Sequence, residues 1–558
     1  MARTVIMISP VLQIGRLWRT VRHLKWRQLV GRIIFWLARP KLDKAAALPL
    51  RSLQNEWLAP ARRRSSIEGP DAFHFLGEAG SLDEYGWDDP RQSKLWRYNQ
   101  HYFDDLNAKG ADDRRVWHVE LLKRWIAENP PTSGTGWEPY PTSLRIVNWV
   151  KFALGGHQLS SSARHCLALQ ARWLSKRLEW HLLGNHLFAN AKALIFAGLF
   201  YRGEEADDWL ASGIEILREQ LPEQILSDGS QFELSPMYHA LALEDMLDLV
   251  NVARAYGEEA LSSELSAYIP AMLAWLALMT HPDGEIAFFN DAAFGIAPDD
   301  SELREYAKRL GFAAKAPAVP LLHSQSSGYV RLERGGAVLI ADIASIGPDY
   351  LPGHAHADTL SFELSLFGHR LIVNGGTSIY GTGEERLRQR GTAAHSTLVV
   401  DGENSSEVWS GFRVGRRARP ADVAAWEENG NLAAKGQHDG YNHLPGRPVH
   451  RRVWTLTDAG LRIDDMVEGG AKHSLEAYFH LHPQFVVKLD KDTGTILITR
   501  SGREHYTARF TAMGGDIEVI ESSWHPEFGV SIPTNAIRVS ARCSLPHTFR
   551  HEFDWGLA

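Results

Sequence analysis

The chain has 558 residues, which is too long for one ordinary hydrophobic core and predicts two or three domains. Its net charge of -7 provides no overall basic field and therefore excludes a protein that attracts nucleic acid through such a field. Cys166 and Cys543 lie far apart in segments that we assign to different domains, so no disulfide framework is predicted. No run of about 18 apolar residues is present, so the sequence predicts no transmembrane segment.

Residues 1–45 form a basic segment that is rich in Trp and Leu and is predicted to be helical. A basic amphipathic helix of this kind can lie on a membrane surface, which predicts a peripheral membrane contact. The alternative is a helix docked on its own domain, and we favour it because membrane binding requires a sustained apolar face. The short apolar run at 5–8 is followed by no clear cleavage site for a signal peptide.

Residues 46–315 are predicted to form a helical domain, because apolar side chains recur there at the spacing of amphipathic helices. Two such series are Leu243, Met246, Leu247 and Val250, and Met272, Trp275, Leu276 and Met279. Repeated helices over this length indicate hairpins packed as a bundle, a solenoid or a toroid. The sequence contains no fixed-period repeat, which disfavours the familiar solenoid classes.

Three polar loops between these helices are candidate sites. The first contains Asn185 and His186, and spacing alone favours the explanation of Asn185 as the N-cap of the helix that follows. The second leads to Tyr238 and His239 at a helix start, a pair that can serve acid–base chemistry or simply pack in the core. The third, at 289–291, leaves the same two interpretations open.

An Ala- and Pro-rich linker is predicted at 313–320, and residues 322–558 are predicted to form an antiparallel β-sandwich. Residues 361–366 alternate polar and apolar side chains, and a Gly-His turn leads from them to the apolar run 371–373. This pattern is typical of a β-hairpin.

His354, His356 and Asp358 form the densest polar cluster in the β half. In an extended chain, residues at i, i+2 and i+4 project to the same side, so these three side chains could converge on one ligand. They are suited to bind Zn²⁺ or to act as a base with an orienting partner. A solvated polar loop is the equally weighted alternative.

An Arg-rich stretch runs from 386 to 419 and stands out against the negative net charge. Arg binds carboxylate or sulfate groups in a bidentate manner, so Arg390, Arg413 and Arg416 are candidate substrate-binding residues. The alternative is a solvated basic face.

Four motifs, in this order along the chain, resemble those of the heparinase II/III-like polysaccharide lyases and their alginate-lyase-like relatives. They lie at 185–194, 228–239, 354–362 and 394–397. The resemblance covers nearly the whole chain from 95–103 onward, and four ordered motifs are far more specific than any one of them. Residues 17–20 look most similar to members associated with bacterial exopolysaccharide or surface-polysaccharide clusters.

The resemblance implies a multidomain fold, an incomplete (α/α) toroid followed by an antiparallel β-sandwich, with the active site at the seam between the two. It also implies β-elimination at a uronic acid, in which a base removes the C5 proton, an acid protonates the glycosidic oxygen and donors neutralise the carboxylate. On the matching positions, it implies catalytic roles for Asn185, His186, Tyr238 and His354. Among these, Asn185 and His186 match the motif that supplies a donor and, in some relatives, a base. Tyr238 matches the catalytic tyrosine, which is the acid and can also be the base, and His354 matches the histidine contributed by the β domain.

The same resemblance implies substrate binding by Arg145 and positioning by His239. In some relatives a structural zinc lies beside the site, and their pattern would place His356, Asn374 and His395 as its ligands. Asn374 stands where a ligating Asp is expected, and an amide is a poorer zinc ligand than a carboxylate.

The sequence therefore predicts a polysaccharide lyase that acts on a uronic-acid-containing polysaccharide and requires no cofactor for the elimination itself. One alternative is a glycoside hydrolase on a helical toroid, with carboxylates such as Asp228, Glu233 and Asp291. Another is a non-catalytic polysaccharide-binding or assembly protein of an exopolysaccharide system. We expect the cell envelope or periplasm because such polymers occur there, with the cytoplasm as the alternative since no clear signal peptide is seen.

Overall fold

The computed structural model describes residues 10–313, 319–501 and 506–555. The run at 5–8 and most of the linker predicted at 313–320 lie outside these ranges. The α-helices are α1 Pro10–Val21, α2 Trp26–Leu37, α3 Leu82–Tyr85, α4 Lys94–Tyr102, α5 Arg115–Glu128, α6 Pro139–Leu154, α7 Ser161–Ser175, α8 Gly184–Phe200, α9 Glu204–Gln224, α10 Pro236–Ala255, α11 Glu259–Ser266, α12 Ile269–Leu278, α13 Asp300–Arg309 and α14 Glu384–Arg390. The strands are β1 Ala72–Phe75, β2 Glu78–Ser81, β3 Leu321–Ser324, β4 Tyr329–Arg334, β5 Ala337–Asp342, β6 Phe362–Leu366, β7 His369–Ile372, β8 Leu398–Val400, β9 Val408–Trp409, β10 Arg413–Val414, β11 Pro420–Glu428, β12 Asn431–His438, β13 Val449–Leu456, β14 Gly460–Glu468, β15 Lys472–His480, β16 Phe485–Asp490, β17 Thr495–Arg500, β18 Tyr506–Met513, β19 Asp516–Trp524, β20 Ile532–Ser544 and β21 His547–Asp554.

The helical half is built around α8, whose side chains are apolar on nearly every face and are almost all buried. Such a helix is stable only when other helices surround it, and α8 packs against α6, α7, α9 and α10. Glycines permit the closest of these contacts, because a Cβ atom at Gly213 would lie 2.8 Å from the carbonyl oxygen of Ala191. The two apolar series predicted from the sequence are buried: the α10 series, Met272 and Leu276 lie in this core, whereas Trp275 and Met279 face the sheet of the other half.

One stretch of the described chain, Glu259–Leu278, is long and apolar enough to cross a membrane by length and composition alone. Half of it is buried inside the protein, and Leu265, Ile269 and Met272 are fully buried. It therefore behaves as part of the core, and the described residues give no clear membrane span.

The C-terminal half consists of antiparallel sheets. An eight-stranded sheet has the order β11-β12-β13-β14-β21-β18-β17-β16, a five-stranded sheet β3-β4-β5-β6-β7, and a four-stranded sheet β19-β20-β15-β8. Their inner faces share one core that includes Leu339, Phe362, Trp454 and Phe479. The predicted hairpin is confirmed, since β6 and β7 pair antiparallel with Leu366 opposite His369.

The two halves are joined by a buried seam. Leu234, Trp275 and Phe289 of the helical half pack against Tyr329 and Ile340 of the sheet. Polar contacts cross the seam as well, because His281 bonds to Glu363 at 2.9 Å and to Ser365 at 2.8 Å. The polar face of β6 is therefore covered by the helical half, which fixes the two walls of the site against each other.

Candidate active site at the seam

The first wall of the site is the start of α8. Leu183 and Gly184 have positive φ values of 62° and 54°, and a Cβ atom at Gly184 would lie 2.3 Å from Leu351. Only glycine fits there, and it lets this helix start approach the loop that leads to His354. The N-cap position is occupied by Leu183 without a side-chain bond, so the N-cap explanation of Asn185 is wrong and its side chain, half-buried, is available to a ligand.

His186 lies beside Asn185 and is about one third exposed. Its Nδ1 bonds to Glu179 Oε1 at 3.2 Å, and its ring centroid is 4.4 Å from that of Tyr140. Glu179 is held in turn by Asn190 Nδ2 at 3.0 Å. A carboxylate on Nδ1 keeps the proton on that nitrogen and leaves Nε2 as the ring atom that a ligand can reach.

Tyr238 belongs to the same wall, in the first turn of α10. Ser235 caps this helix by accepting a bond from the Tyr238 backbone N–H at 3.2 Å. The Tyr238 hydroxyl shares a hydrogen bond of 2.9 Å with the hydroxyl of Tyr380 from the β half. Burial raises the pKa of Tyr238 well above its usual value, so the phenol keeps its proton at neutral pH.

The second wall is formed by His354, whose ring centroid lies 4.0 Å from that of Tyr238. Its Nδ1 bonds to Asp291 Oδ2 at 2.9 Å, and its backbone carbonyl accepts from the Asp291 N–H at 2.9 Å. The carboxylate therefore selects the tautomer with the proton on Nδ1. The lone pair of Nε2 is then available for a proton transfer.

Asp291 comes from the helical half and is a fully buried carboxylate that braces this wall from across the seam. Both of its oxygens accept bonds from the Arg386 guanidinium, and Oδ1 also accepts from His356 Nε2 at 2.8 Å. Burial alone would raise the pKa of Asp291, but Arg386 and the histidine bonds hold it well below its usual range. Asp291 is thus a permanent anion that orients His354 and is unsuited to be an acid.

His354 and His356 converge as the extended-chain argument predicted, but on Asp291 and from a loop. Asp358, the third member of that cluster, points to a different partner, because its Oδ2 accepts from the backbone N–H of Asn290 at 3.0 Å. Asn290 itself has a positive φ of 57°. Strained backbone is costly and is often kept at functional sites, where surrounding contacts determine it.

The side chains for which the resemblance implied a zinc site lie beside this wall. His356 Nδ1 and His395 Nε2 are 3.2 Å apart, while the Asn374 amide lies near the Ser396 backbone N–H and the Ser361 hydroxyl at 3.4–3.5 Å. In the described part of the chain, no group of three His, Cys, Asp or Glu side chains is arranged to hold a metal ion. The donors present among the described residues therefore do not fit a zinc site.

Two residues expected to bind substrate are structural supports. Arg145 is fully buried, stacks 3.8 Å over the ring of Trp125 and donates to Gln170 at 2.9 Å. Arg390 is also fully buried and donates to the Ala355 carbonyl at 2.8 Å. A guanidinium used in this way cannot reach a polysaccharide in the cleft, so both assignments are corrected; Arg390 instead braces the loop that carries His354.

The other three candidates differ in exposure. His239 is fully buried, with Nε2 on the Met272 carbonyl at 2.9 Å and Nδ1 accepting from the Gln231 N–H at 3.2 Å, so it can act only through the loop it supports. Arg413 is exposed, 4.9 Å over the ring of Trp409. Arg416 is half-buried, with its backbone N–H on Glu407 at 3.1 Å.

Three contributors were missed by sequence reasoning. The sequence indicated Asp291 only weakly, as part of a polar loop. It indicated Arg386 as part of an Arg-rich stretch, and the alternative of a solvated basic face is wrong at Arg386. Nothing in the sequence indicated Tyr380.

Glu233 also lies at the site. Its buried Oε2 has no hydrogen-bond partner among the described residues and lies 3.7 Å from His354 Nε2. Burial raises the pKa of Glu233.

Comparison with known families agrees with this architecture. Residues 102–310 match the family model described as heparinase II/III N-terminus, and residues 316–552 match heparinase II/III-like, C-terminal. Together the two matches cover most of the chain and both of its halves. The chain therefore belongs to the heparinase II/III-like family, as the four motifs predicted.

Curated relatives are similar in sequence over part of their length. A heparin-sulfate lyase of Bacteroides stercoris is 26% identical over 321 residues, which are 53% of this chain and 46% of that protein. A heparin-sulfate lyase of Bacteroides thetaiotaomicron is 25% identical over 427 residues, 65% of this chain and 57% of that protein. The chain thus spans about half the length of the curated relatives it matches.

Solved structures confirm the fold. The crystal structure of heparinase III superposes with a TM-score of 0.66 at 19% identity, covering 86% of this chain and 79% of that one. A heparan sulfate lyase of Pedobacter heparinus gives 0.58 at 18% identity, covering 95% and 88%. The predicted toroid followed by a β-sandwich is confirmed.

Proposed function

We propose that this protein is a polysaccharide lyase that cleaves a uronic-acid-containing acidic polysaccharide by β-elimination. The observation that carries the proposal is the pairing of Tyr238 and His354 across the seam, with ring centroids 4.0 Å apart. One is a phenol that keeps its proton, and the other is an imidazole that Asp291 holds by Nδ1, so that Nε2 is the nitrogen that can accept a proton. An acid and a base on opposite walls are what an elimination requires.

In the proposed reaction His354 Nε2 takes the C5 proton of the uronate. The electron pair of that C–H bond forms the C4=C5 double bond, and the bond from C4 to the glycosidic oxygen breaks. Tyr238 gives its proton to the departing oxygen. The imidazolium of His354 then loses the C5 proton to solvent, and the Tyr238 phenolate is reprotonated from solvent. Tyr380, bonded to the Tyr238 hydroxyl at 2.9 Å, stabilises the phenolate until then.

Negative charge grows on the uronate carboxylate as C5 loses its proton. Asn185 and His186 lie on the helical wall and are accessible, so we assign them to this carboxylate. The Asn185 amide is a hydrogen-bond donor as it stands, whereas His186 donates from Nε2 only as an imidazolium, with Nδ1–H held by Glu179. Donors that are already in place stabilise such charge without reorganisation. Arg413 is the accessible cation assigned to a more distant part of the polymer.

A glycoside hydrolase is disfavoured by the state of its candidate carboxylates. Asp291 is buried under Arg386 and cannot donate a proton. Asp228 accepts bonds from Ser324 at 2.8 Å and Ser230 at 2.8 Å and serves the seam. Of the three candidates only Glu233 keeps an oxygen without a hydrogen-bond partner among the described residues. Hydrolysis requires two carboxyl groups flanking the bond, and the other two are already used.

The relatives named as heparin-sulfate lyases support a uronate polymer as the substrate, and we place the reaction in the cell envelope or periplasm, where such polymers are found. The test is to incubate the protein with purified uronate polymers, including heparan sulfate, alginate and a bacterial exopolysaccharide, and to record ultraviolet absorbance. We expect absorbance to rise with at least one of them, because elimination leaves a C4=C5 double bond. New reducing ends without absorbance would contradict elimination and favour hydrolysis.

A further inference from the structure

The two N-terminal helices, α1 and α2, carry an unusual apolar surface. Ten of the twenty large hydrophobic side chains that are exposed among the described residues lie between 14 and 37. Three of them are tryptophans: Trp18, Trp26 and Trp36 are 67%, 77% and 72% exposed. Scattered exposed apolar residues are ordinary, but a set concentrated on two consecutive helices indicates a surface that binds a partner.

A helix packed on a core turns its apolar face inward, whereas α1 turns its apolar face to solvent. Ile14, Leu17, Trp18 and Val21 recur at i, i+3, i+4 and i+7 and therefore share one face, and all four are exposed. The opposite face is polar and docks on the β half. There Arg19 bonds to Glu407 at 2.8 and 2.9 Å, and Arg16 bonds to the same carboxylate at 3.0 Å.

The second helix repeats this arrangement at the seam, where it contacts both halves. Gln28 is buried and donates to the Tyr350 carbonyl at 3.3 Å, Gly31 lies against the backbone of Trp180 and His181, and Phe35 stacks 4.2 Å from His181. Leu29, Ile33, Trp36 and Leu37 remain exposed. Each helix is thus held to the protein by one face and presents the other outward.

The charge of these two helices indicates which kind of partner their apolar faces bind. Residues 10–42 contain seven Arg and Lys residues from Arg16 to Arg39, with Lys41 beyond them, and no Asp or Glu. Arg22 and Arg32 are exposed beside the apolar faces and pair with no carboxylate in the described part of the chain. We infer that the apolar faces of α1 and α2 insert into an anionic lipid surface, with these arginines at the headgroups and the tryptophans at the interface.

A second copy of the chain is the less suitable occupant. A symmetric dimer would place the same face of both protomers in contact, and the exposed arginines of each would then oppose those of the other. Anionic headgroups supply the charge that a second copy lacks. Tryptophan is also the side chain that most favours the boundary between headgroups and acyl chains.

One contact places the start of α2 near the loop that leads to His354. Lys25 lies 3.9 Å over the ring of Tyr350, four residues before His354. A bilayer bound by the outward faces of α1 and α2 would therefore be separated from this loop by the thickness of the helices. This inference does not depend on the proposed lyase reaction, since it is drawn from the helices alone.

The test is sedimentation of the full chain with vesicles of equal parts phosphatidylglycerol and phosphatidylcholine, and with phosphatidylcholine alone. We expect binding to the anionic vesicles that declines with salt, and at least about tenfold less binding for the triple variant Trp18→Ser, Ile33→Ser, Trp36→Ser. A matched control removes exposed apolar side chains elsewhere, Val116→Ser, Val486→Ser and Met513→Ser, and should bind as the original chain does. Both triple variants should keep the original thermal unfolding midpoint, because the replaced side chains are exposed.

Three results would overturn the inference. The first is no binding to anionic vesicles, and the second is equal binding to neutral ones. The third is a dimer in lipid-free solution that the Trp18→Ser, Ile33→Ser, Trp36→Ser variant converts to a monomer, since a second copy would then occupy the surface. Reversing the charge at Arg22→Glu and Arg32→Glu should weaken binding without affecting the helices' docking contacts.

Discussion

The two walls of the site are built by different means. On the helical wall, the functional side chains project from helix starts that the backbone fixes, through Gly184 before Asn185 and through the Ser235 cap before Tyr238. On the β wall, His354 comes from a loop without regular structure and is fixed by a buried ion pair between Asp291 and Arg386. The helical wall therefore relies on local backbone geometry, and the β wall relies on buried charge.

This difference separates the effects that substitutions should have. A side chain that projects from a stable helix can be trimmed without disturbing the fold, so its loss should reduce activity alone. A buried charge that loses its partner destabilises the protein, because an unpaired ion in the interior is costly. Substitutions on the helical wall should therefore lower activity, and substitutions on the β wall should lower stability.

The largest effect is expected on the helical wall. Tyr238→Phe removes the proton that the leaving oxygen receives and should lower kcat by about 10²–10⁴-fold with the unfolding midpoint unchanged. The measurement is the rate of ultraviolet absorbance with a polymer that the original chain cleaves, together with thermal unfolding. Tyr256→Phe, another buried tyrosine at the far end of α10, is the control and should retain activity. A Tyr238→Phe variant with full activity would show that the acid lies elsewhere.

On the β wall, Arg386→Met should lower the free energy of unfolding by about 3–5 kcal/mol, because it leaves the Asp291 anion buried without its guanidinium. Denaturant unfolding followed by tryptophan fluorescence measures this change. Arg388→Met, two residues away, breaks a surface pair with Glu385 and should cost at most about 1 kcal/mol. Equal losses in the two variants would contradict the role of buried charge.

The sequence predicted the helical wall better than the β wall for a physical reason. Helix starts are local, so the motif that contains Asn185 and the one that contains Tyr238 are visible in a few consecutive residues. The side chains that bind Asp291 lie 63 to 95 positions further along the chain, so no short sequence pattern predicts these contacts. Arg145 was misassigned because an arginine that stacks on a buried tryptophan looks, in sequence, like one that faces a substrate.

A further prediction concerns how the stability of the protein depends on pH through the buried His239. Burial lowers the pKa of His239 to about 4, whereas the unfolded chain binds that proton near about 6.5. Between these values the unfolded state carries more protons, so the contribution of His239 is present above about pH 6.5 and is lost as the pH falls toward 4. His239→Asn keeps an acceptor for the Gln231 N–H but does not titrate, and should lose less stability between pH 7 and 5 than the original chain. The exposed His74→Asn serves as the control, and an unchanged slope in His239→Asn would refute the assignment.

The smallest effect concerns the metal position beside the β wall. His356 and His395 already face each other with nitrogens 3.2 Å apart, and the third position is the amide of Asn374. Asn374→Asp supplies the carboxylate that the set lacks and should raise zinc affinity, measured by calorimetry with zinc alone, by about tenfold or more. Asn374→Leu is the matched control and should bind no more zinc than the original chain. If the original chain already binds zinc as tightly as Asn374→Asp, the amide is a sufficient ligand and the missing carboxylate has no bearing on the site.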